Sequence, residues 1–314
     1  MAPRSTQLRS FASLLAVCLA TLVATSGCAL LTKSEVQEVK TFAKATKNYG
    51  TLPGAAIKAY GNISRNDREL EASAREFTSD EIAEEIQANL EKARKANQAF
   101  GSAASKADQA LSVLDLYSDC LLSLASDTYT NELGQSSTAL GQSLDTAVNT
   151  YNKSFGTNVG TFGAIIGGAV RAAGGIYIRH EQAKYLRDFI NAADAKMIPS
   201  LTRDIRVLMQ DDVKPNLSAL KSRLDDDFAI AATTAKTLPL ATIHMVNEWY
   251  DELDRADKLA DAATKSAATY RSAHAKLAAA FNKRTDLQQA SEEIQTLISE
   301  IRAAEKVKED LKSE

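Results

Sequence analysis

The scarcity of glycine and proline constrains the fold of this chain more than any other feature of its sequence. Glycine is absent from Ile176 to Glu314. The prolines that follow the first few residues are Pro53, Pro199, Pro215 and Pro239. A protein built from β-strands needs a turn about every ten residues, and glycine and proline supply most turns. The most abundant residues are instead the helix formers alanine and leucine, and lysine and glutamate are also common, so the sequence predicts an all-α fold.

Apolar residues recur at helical spacing along three stretches of the chain. These seams run from Ile82 to Ala125, from Leu133 to Tyr151, and from Tyr250 to Ile301 with a change of phase before Leu287. Steps of three and four residues place apolar side chains on one helix face, and long seams predict helices that pack side by side. We predict helices at residues 34–47, 53–73, 79–127, 131–197, 200–236 and 240–312.

The length of these helices decides the architecture. A helix of about 40 to 70 residues is roughly 60 to 100 Å long, because each residue adds about 1.5 Å. Such helices exceed the diameter of a globule, so the sequence predicts an elongated antiparallel bundle. Apolar spacing continues across Pro215, which predicts a kink within one helix, whereas Ile198-Pro199 and Leu238-Pro239 predict helix ends.

Residues 1–27 are typical of an export signal. Arg4 and Arg9 form a positive leader, and the uncharged run from Phe11 to Ala24 is too short to span a bilayer as a settled helix. The segment then ends in a pair of small residues before Cys28. Such a segment predicts removal of the leader and a place for the protein in the cell envelope.

The sequence Thr25-Ser26-Gly27-Cys28 resembles the lipobox of bacterial lipoproteins. The resemblance implies cleavage before Cys28 and acyl chains, palmitate among them, on the new N-terminus. Ala29 in the next position implies transfer to the outer membrane, with the protein facing the periplasm. The alternative is ordinary secretion with cleavage near residues 24–26, which leaves Cys28 as a plain residue.

Cysteine usage agrees with an exported protein that has no disulfide framework. If Cys28 is lipidated, Cys120 is the one thiol left in the mature chain, whereas an unmodified Cys28 could bridge to it. Cys120 lies in an apolar stretch beside Asp119, a setting that predicts an inert thiol. The predicted organisation is a signal peptide at 1–27, a lipid-anchored tether at 28–52 and a single helical-bundle domain at 53–314.

Residues 154–178 break the helical composition, because they contain seven of the fourteen glycines. These glycines are Gly156, Gly160, Gly163, Gly167, Gly168, Gly174 and Gly175. Together with Ala164 and Ala172 they place a small residue at every fourth position from Gly156. This stripe predicts a helix-packing or membrane-contact surface, because small residues let another helix approach closely.

The same segment supports a role at a membrane. The uncharged run from Ser154 to Val170 is about 25 Å long as a helix, just short of a hydrocarbon core. It is therefore a candidate for a permanent span, or for a hairpin that inserts on a trigger or binds a partner. The layout of long helices around an apolar mid-chain segment resembles α-helical pore-forming proteins of the cytolysin A type. That resemblance implies a membrane-inserting function.

The residues that carry catalytic or metal chemistry form no recognisable motif. His180 and His244 have no ligand partner at helical spacing, and His274 falls on an apolar seam, which predicts a core residue. The chain contains no nucleophile elbow, phosphate loop or dinucleotide fingerprint. We therefore predict no catalytic residue, no metal site and no cofactor.

Acidic and aromatic clusters have ordinary structural interpretations. Residues 225–227 and the acids between 251 and 261 are predicted to form solvated helix faces. Trp249-Tyr250, beside Met245 and Val246, is predicted to plug the core near the turn at Pro239. A groove-facing role for the aromatic pair is the alternative.

These observations predict a non-catalytic, membrane-anchored envelope lipoprotein that acts as a structural or protein-binding helical bundle. Its expected partners are the membrane, through the acyl anchor, and an envelope protein, while self-association remains open. The net charge of −3 gives no basic excess, so we expect no nucleic-acid partner. The alternatives are a membrane-inserting protein that uses residues 154–178 and, less favoured, an envelope hydrolase.

Overall fold

The computed structural model describes residues 31–74, 82–126, 131–171, 177–234, 238–283 and 287–310. Every regular element in these ranges is a helix, which confirms the all-α prediction. In chain order the α-helices are α1 (Lys33–Tyr49), α2 (Leu52–Ala74), α3 (Ile82–Leu124), α4 (Asn131–Phe155), α5 (Gly163–Arg171), α6 (Tyr177–Ala192), α7 (Ile198–Val207), α8 (Lys214–Thr234), α9 (Leu240–Lys283) and α10 (Leu287–Asp310). Two π-helical turns, π1 (Ala193–Met197) and π2 (Leu208–Val213), connect α6 to α7 and α7 to α8.

Four rods of helix form the bundle. Two are single helices, α3 of 43 residues and α9 of 44 residues, each about 65 Å long. The third consists of α1 followed by α2, and the fourth is the unbroken helical stretch from α6 through π1, α7 and π2 to α8. The shorter helices α4, α5 and α10 pack along parts of these rods.

Contacts between the rods show that α9 is antiparallel to α1 and to α8, as predicted, whereas α2 and α8 pack on each other in parallel. The Phe42 ring of α1 lies 5.6 Å from the His274 ring of α9, and the Tyr49 hydroxyl donates to the Ala263 carbonyl at 3.3 Å. Residue numbers therefore rise along α1 as they fall along α9. Between α9 and α10, Lys276 donates to Gln289 at 3.0 Å, so α10 folds back along α9.

The same contacts define the two ends of the bundle. Ser118 of α3 donates to the Ala43 carbonyl of α1, and Gln182 of α6 donates to the Leu124 carbonyl of α3. What we call the basal end therefore gathers the starts of α1, α6 and α10 with the ends of α3 and α9. The distal tip is the opposite end, where α8 finishes at Thr234 and α9 begins at Leu240.

The core is a continuous seam of small and aromatic side chains. Ala256, Ala260, Ala263 and Ala267 of α9 are fully buried, which lets α2 and α10 approach α9 closely. Larger rings fill the remaining space: Tyr49 stacks on Tyr270 with centroids 5.6 Å apart. Each buried aromatic ring contributes on the order of 2 kcal/mol through the apolar surface that it removes from water.

The predicted tether at 28–52 is wrong over most of its length. Residues 33–49 form α1, and its Val39, Phe42 and Tyr49 have no exposed surface. The helix begins with a capping box, in which Thr32 and Glu35 satisfy each other's backbone N–H groups. An apolar face at helical spacing was visible in the sequence, and it packs in the core like those of the other helices.

Two of the predicted long helices are each divided. The expected helix at 131–197 ends at Phe155, because Gly156 adopts a left-handed conformation with φ of 64° that stops α4. The expected helix at 240–312 ends at Lys283, and Leu287 starts α10. The second division coincides with the change of phase of the apolar seam before Leu287, since α10 turns back to pack on α9.

The predicted helix end at Pro199 is also wrong, while the continuous helix across Pro215 is confirmed. Pro199 follows π1 and Pro215 follows π2, and helix runs on through both. In an ordinary α-helix, a proline ring clashes with the carbonyl group one turn earlier and leaves that carbonyl without an N–H donor. A π turn contains one extra residue, which moves this carbonyl away from the proline ring. The break at Pro239 is confirmed, because α9 begins at Leu240.

Candidate functional site

The glycine-rich segment is not one helix, so the predicted small-residue stripe does not exist as a single surface. Gly156 and Gly160 lie between α4 and α5, and a Cβ atom added at either would meet nothing within 4 Å. Gly163, Gly167 and Gly168 lie in α5. Gly174 and Gly175 lie outside the described residues, as do Cys28 and the signal segment.

Close helix packing is nevertheless real at one pair of glycines. An added Cβ at Gly163 would lie 2.6 Å from an Asp145 carboxylate oxygen, and one at Gly141 would lie 3.3 Å from the Gly163 Cα. The α4–α5 contact therefore depends on both glycines, and Gly141 was absent from the predicted set. Its position one residue after Leu140 on the apolar seam of α4 is the signal that could have indicated it. By contrast, Gly167 has open space around its Cα.

Two polar side chains of α4 hold the segment that precedes α5. The Asp145 carboxylate accepts the backbone N–H groups of Phe162 and Gly163, the latter at 3.0 Å, and so caps α5 from a neighbouring helix. The Asn152 side chain accepts the Val159 N–H at 2.9 Å and donates to the Val159 carbonyl at 2.9 Å. Phe162 and Val159 are buried as a result.

The lengths of the helices bear on the proposed role of this segment at a membrane. Among the described residues, no helix combines the length and the apolar character that crossing a bilayer requires. In particular, α5 has nine residues and is about 14 Å long.

A chain of three polar side chains crosses the core. The Tyr117 hydroxyl lies 2.7 Å from Nε2 of His274, and Nδ1 of His274 lies 2.9 Å from the Asp194 carboxylate. Neutral His274 with its proton on Nδ1 satisfies both contacts, because Asp194 can only accept and Tyr117 then donates. The chain connects α3, α9 and π1.

Burial shifts the pKa values of His274 and Tyr117. Burial lowers the pKa of His274, although the Asp194 carboxylate beside it acts in the opposite direction. Burial also raises the pKa of the Tyr117 hydroxyl well above its ordinary value. Both side chains are fully buried, so the prediction that His274 is a core residue is confirmed. They hold three helical elements together and present no reactive atom to solvent.

The thiol of Cys120 is also part of the core. Burial, together with the nearby Asp119 and Asp145 carboxylates, raises the pKa of the thiol to about 12. A thiol with such a pKa is protonated and unreactive at neutral pH, which confirms the prediction of an inert cysteine. Cys120 is a free cysteine.

The acidic face of α9 is exposed but largely neutralised by α8. Lys214 lies 2.5 Å from Asp261, and Lys221 lies 3.0 Å from Asp254. The prediction of a solvated face is correct here. It is wrong for Asp227, which is buried.

A partly buried ion pair lies beside Asp227, between α2 and α8. Arg223 donates to the buried carboxylate of Asp67 at 2.6 Å. Burial raises the pKa of Asp67, although Arg223 and Arg68 oppose that shift. This pair ties α2 to α8 in the distal half of the bundle.

The aromatic plug is confirmed in part. Trp249 and Val246 are buried in the core, whereas Met245 is exposed. The Tyr250 hydroxyl donates to Asp225 of α8. The plug thus faces inward at Trp249, while the neighbouring Met245 contributes to the surface.

The surface of the described residues has several grooves, and none of its acidic, histidine or cysteine side chains form a metal cluster. A groove of about 450 Å³ lies where α1 meets α2, lined by Lys58, Asn62, Asp108, Glu252 and Lys308 among others. Among the described residues, no group of three or more His, Cys, Asp or Glu side chains could hold a metal ion. His244 is exposed, and the side chain of His180 lies outside the described part.

No protein-family model matches the chain, and no curated protein or solved structure matches it either.

Proposed function

We propose that this chain is a non-catalytic, lipid-anchored protein of the bacterial envelope whose helical bundle binds another protein. The acyl anchor on Cys28 attaches it to the outer membrane, and the bundle extends into the periplasm. The export signal and the cysteine that resembles a lipobox support the anchor. The large apolar side chains exposed at the distal tip are the observation that supports binding.

Three large apolar side chains are exposed in the distal parts of α8 and α9. Ile230 is 47% exposed, Leu240 67% and Met245 37%, and the fourth large exposed apolar side chain among the described residues is Val207. The pairing of Lys221 with Asp254 brings Ile230 of α8 level with Met245 of α9. Large apolar side chains exposed near one end of a bundle are candidates for a protein-interaction site.

The reactive side chains of the core support a binding role over a catalytic one. His274, Tyr117 and Cys120 are buried and hold helices together. A catalytic group has to reach substrate, and these groups are closed off by α1, α3 and α9. The same residues make the bundle rigid, which suits a body that presents a surface.

Cross-linking in intact envelopes tests this function. The tethered protein should capture a specific envelope protein, and capture should be lost for Cys28→Ser, which cannot be acylated. Met245→Glu should reduce capture several-fold, whereas the matched change Val207→Glu, at an equally exposed apolar residue away from the tip, should not. Equal capture by all variants would contradict the proposal.

Membrane insertion through residues 154–178 is the second candidate. The open space beside Gly160 and Gly167 favours it, because no described atom lies within 4 Å of a Cβ added at either position. Insertion requires α5 to leave α4 and to break its cap at Asp145. Liposome leakage by the purified protein, lost on Gly168→Glu, would support this candidate, and absence of leakage under all pH and lipid conditions would eliminate it.

A further inference from the structure

We propose that the basal end of the bundle lies directly against the lipid headgroups, so that the bundle stands end-on at the membrane. This inference rests on the proposed acyl anchor at Cys28. It assigns a lipid-contact surface to the ends of α1, α3, α6, α9 and α10, and it directs the distal tip away from the bilayer.

The spacer between the anchor and the bundle is very short. Only Ala29 and Leu30 separate Cys28 from Leu31, which packs against the core. Three steps along the backbone cover at most about 11 Å, so the acylated residue stays within that distance of Leu31. A spacer of this length does not allow the bundle to move freely above the membrane.

The start of α1 is held firmly at the basal end. The Thr32 hydroxyl accepts the Glu35 N–H at 3.1 Å, and the Glu35 carboxylate accepts the Thr32 N–H at 2.7 Å. One turn further on, Val36 packs against the core and Val39 is fully buried. The position of the anchor is therefore transmitted to the whole bundle, because α1 is part of its core.

The basal end presents several helix ends at one level. Phe42 contacts His274, so the first residue of α1, nine residues earlier, is level with Lys283, nine residues later on α9. The exposed side chains there include Lys33, Asn282 and Gln288. Ammonium and amide groups donate hydrogen bonds to the phosphate and carbonyl oxygens of lipid headgroups. The exposed side chains named here are thus polar, and they suit headgroups and not the hydrocarbon core.

The geometry also fixes where the distal tip lies. Along α9, 44 residues separate the two ends, which is about 65 Å. A flexible tether over residues 28–52 would have let the tip approach the membrane, because chains of that length sample many orientations. The ordered α1 removes that freedom.

Energy transfer from tryptophan to a headgroup-labelled lipid measures the orientation. The chain from Cys28 onward is coupled to a maleimide lipid and added to phosphatidylcholine vesicles that contain dansyl-labelled phosphatidylethanolamine. Coupling is confined to Cys28 because the Cys120 thiol is buried. Gln288→Trp places a donor at the basal end, and the matched Asn247→Trp places one near the distal tip; both positions are exposed.

We expect Gln288→Trp to transfer energy at least several-fold more efficiently than Asn247→Trp, with the native Trp249 as a common background. Insertion of about 20 glycine and serine residues between Ala29 and Leu30 should remove most of the difference. Equal transfer from both positions without the insertion would overturn the inference. Because the anchor is attached chemically, this result is independent of whether cells acylate Cys28, which the mass of the native protein decides separately.

Discussion

At the scale of single residues, the chain Tyr117–His274–Asp194 is the feature that carries the most consequence. The sequence predicts His274 in the core but gives no sign of its partners, which are 157 and 80 residues away. Long-range pairings of this kind depend on how helices are arranged in space, and one sequence does not encode that arrangement locally. Removing one of these three hydrogen-bonded side chains should therefore lower the stability of the whole bundle.

Tyr117→Phe removes the hydroxyl and leaves Nε2 of buried His274 without a partner. We expect the free energy of unfolding to fall by about 1–3 kcal/mol, the usual effect of an unsatisfied buried acceptor. Urea unfolding followed by circular dichroism measures this. Tyr185→Phe, at a half-buried tyrosine, is the control and should change stability by less than about 0.5 kcal/mol. Equal effects would mean that the Tyr117–His274 contact contributes nothing.

The lowered pKa of His274 predicts a pH dependence of stability. As pH falls through about 6.5, the unfolded chain protonates this histidine while the folded chain does not, so the unfolded state binds more protons. The free energy of unfolding should therefore decrease from pH 7 to pH 5, with a slope of up to about 1.4 kcal/mol per pH unit from this residue. Subtracting the profile of His274→Gln isolates that slope, and identical profiles would contradict the assignment.

At the scale of elements, the existence of most helices could be predicted, but not all their ends. The predicted helices at 79–127 and 34–47 match α3 and α1 to within a few residues. The end of α4 at Gly156 was not predicted, because the regularly spaced glycines were interpreted as a helix-packing stripe. Gly156 instead adopts a left-handed conformation that ends α4. Pro199 was read as a helix end because a π turn, which accommodates proline within a helix, has no clear sequence signature.

In the glycine-rich segment, too, the sequence predicts part of the packing and misses the rest. Of the seven glycines singled out in the sequence, the described structure gives a close packing role to Gly163, and its partner Gly141 was not among them. Spacing along the chain predicts that small residues matter, but only the approach of α5 to α4 decides which of them do. The cap that Asp145 provides to α5 was likewise invisible, because it comes from another helix.

A pair of glycine substitutions tests the packing of α5 on α4. Gly163→Ala introduces a methyl group 2.6 Å from Asp145, so we expect a loss of about 1–3 kcal/mol as the cap is displaced. Gly167→Ala meets open space and should raise the free energy of unfolding by up to about 1 kcal/mol through helix propensity. Thermal unfolding of the two variants should move in opposite directions, and a stabilising Gly163→Ala would contradict the close contact.

At the scale of the whole molecule, the proposed anchor residue Cys28 lies three residues before Leu31, at the basal end of a long bundle. The exposed apolar side chains of Ile230, Leu240 and Met245 lie towards the far end. A bundle about 65 Å long therefore separates the proposed attachment point from the proposed binding surface. This separation predicts that the tip can be altered without effect on membrane attachment.

Met245→Glu and Ile230→Glu should leave both envelope attachment and stability unchanged, because both side chains are already solvent-exposed. Fractionation of the envelope, together with urea unfolding of the variants, checks this. Partner capture alone should fall, and a simultaneous loss of attachment would place the membrane contact at the wrong end of the bundle.

The intact mass of the protein extracted from the envelope tests the central claim, that a binding body is anchored by lipid at Cys28. The account predicts a chain that starts at Cys28 and carries the added mass of its acyl groups, and that Cys28→Ser is neither cleaved at this site nor acylated. An unmodified chain that starts near residues 24–26, with Cys28 as a plain thiol, would contradict it.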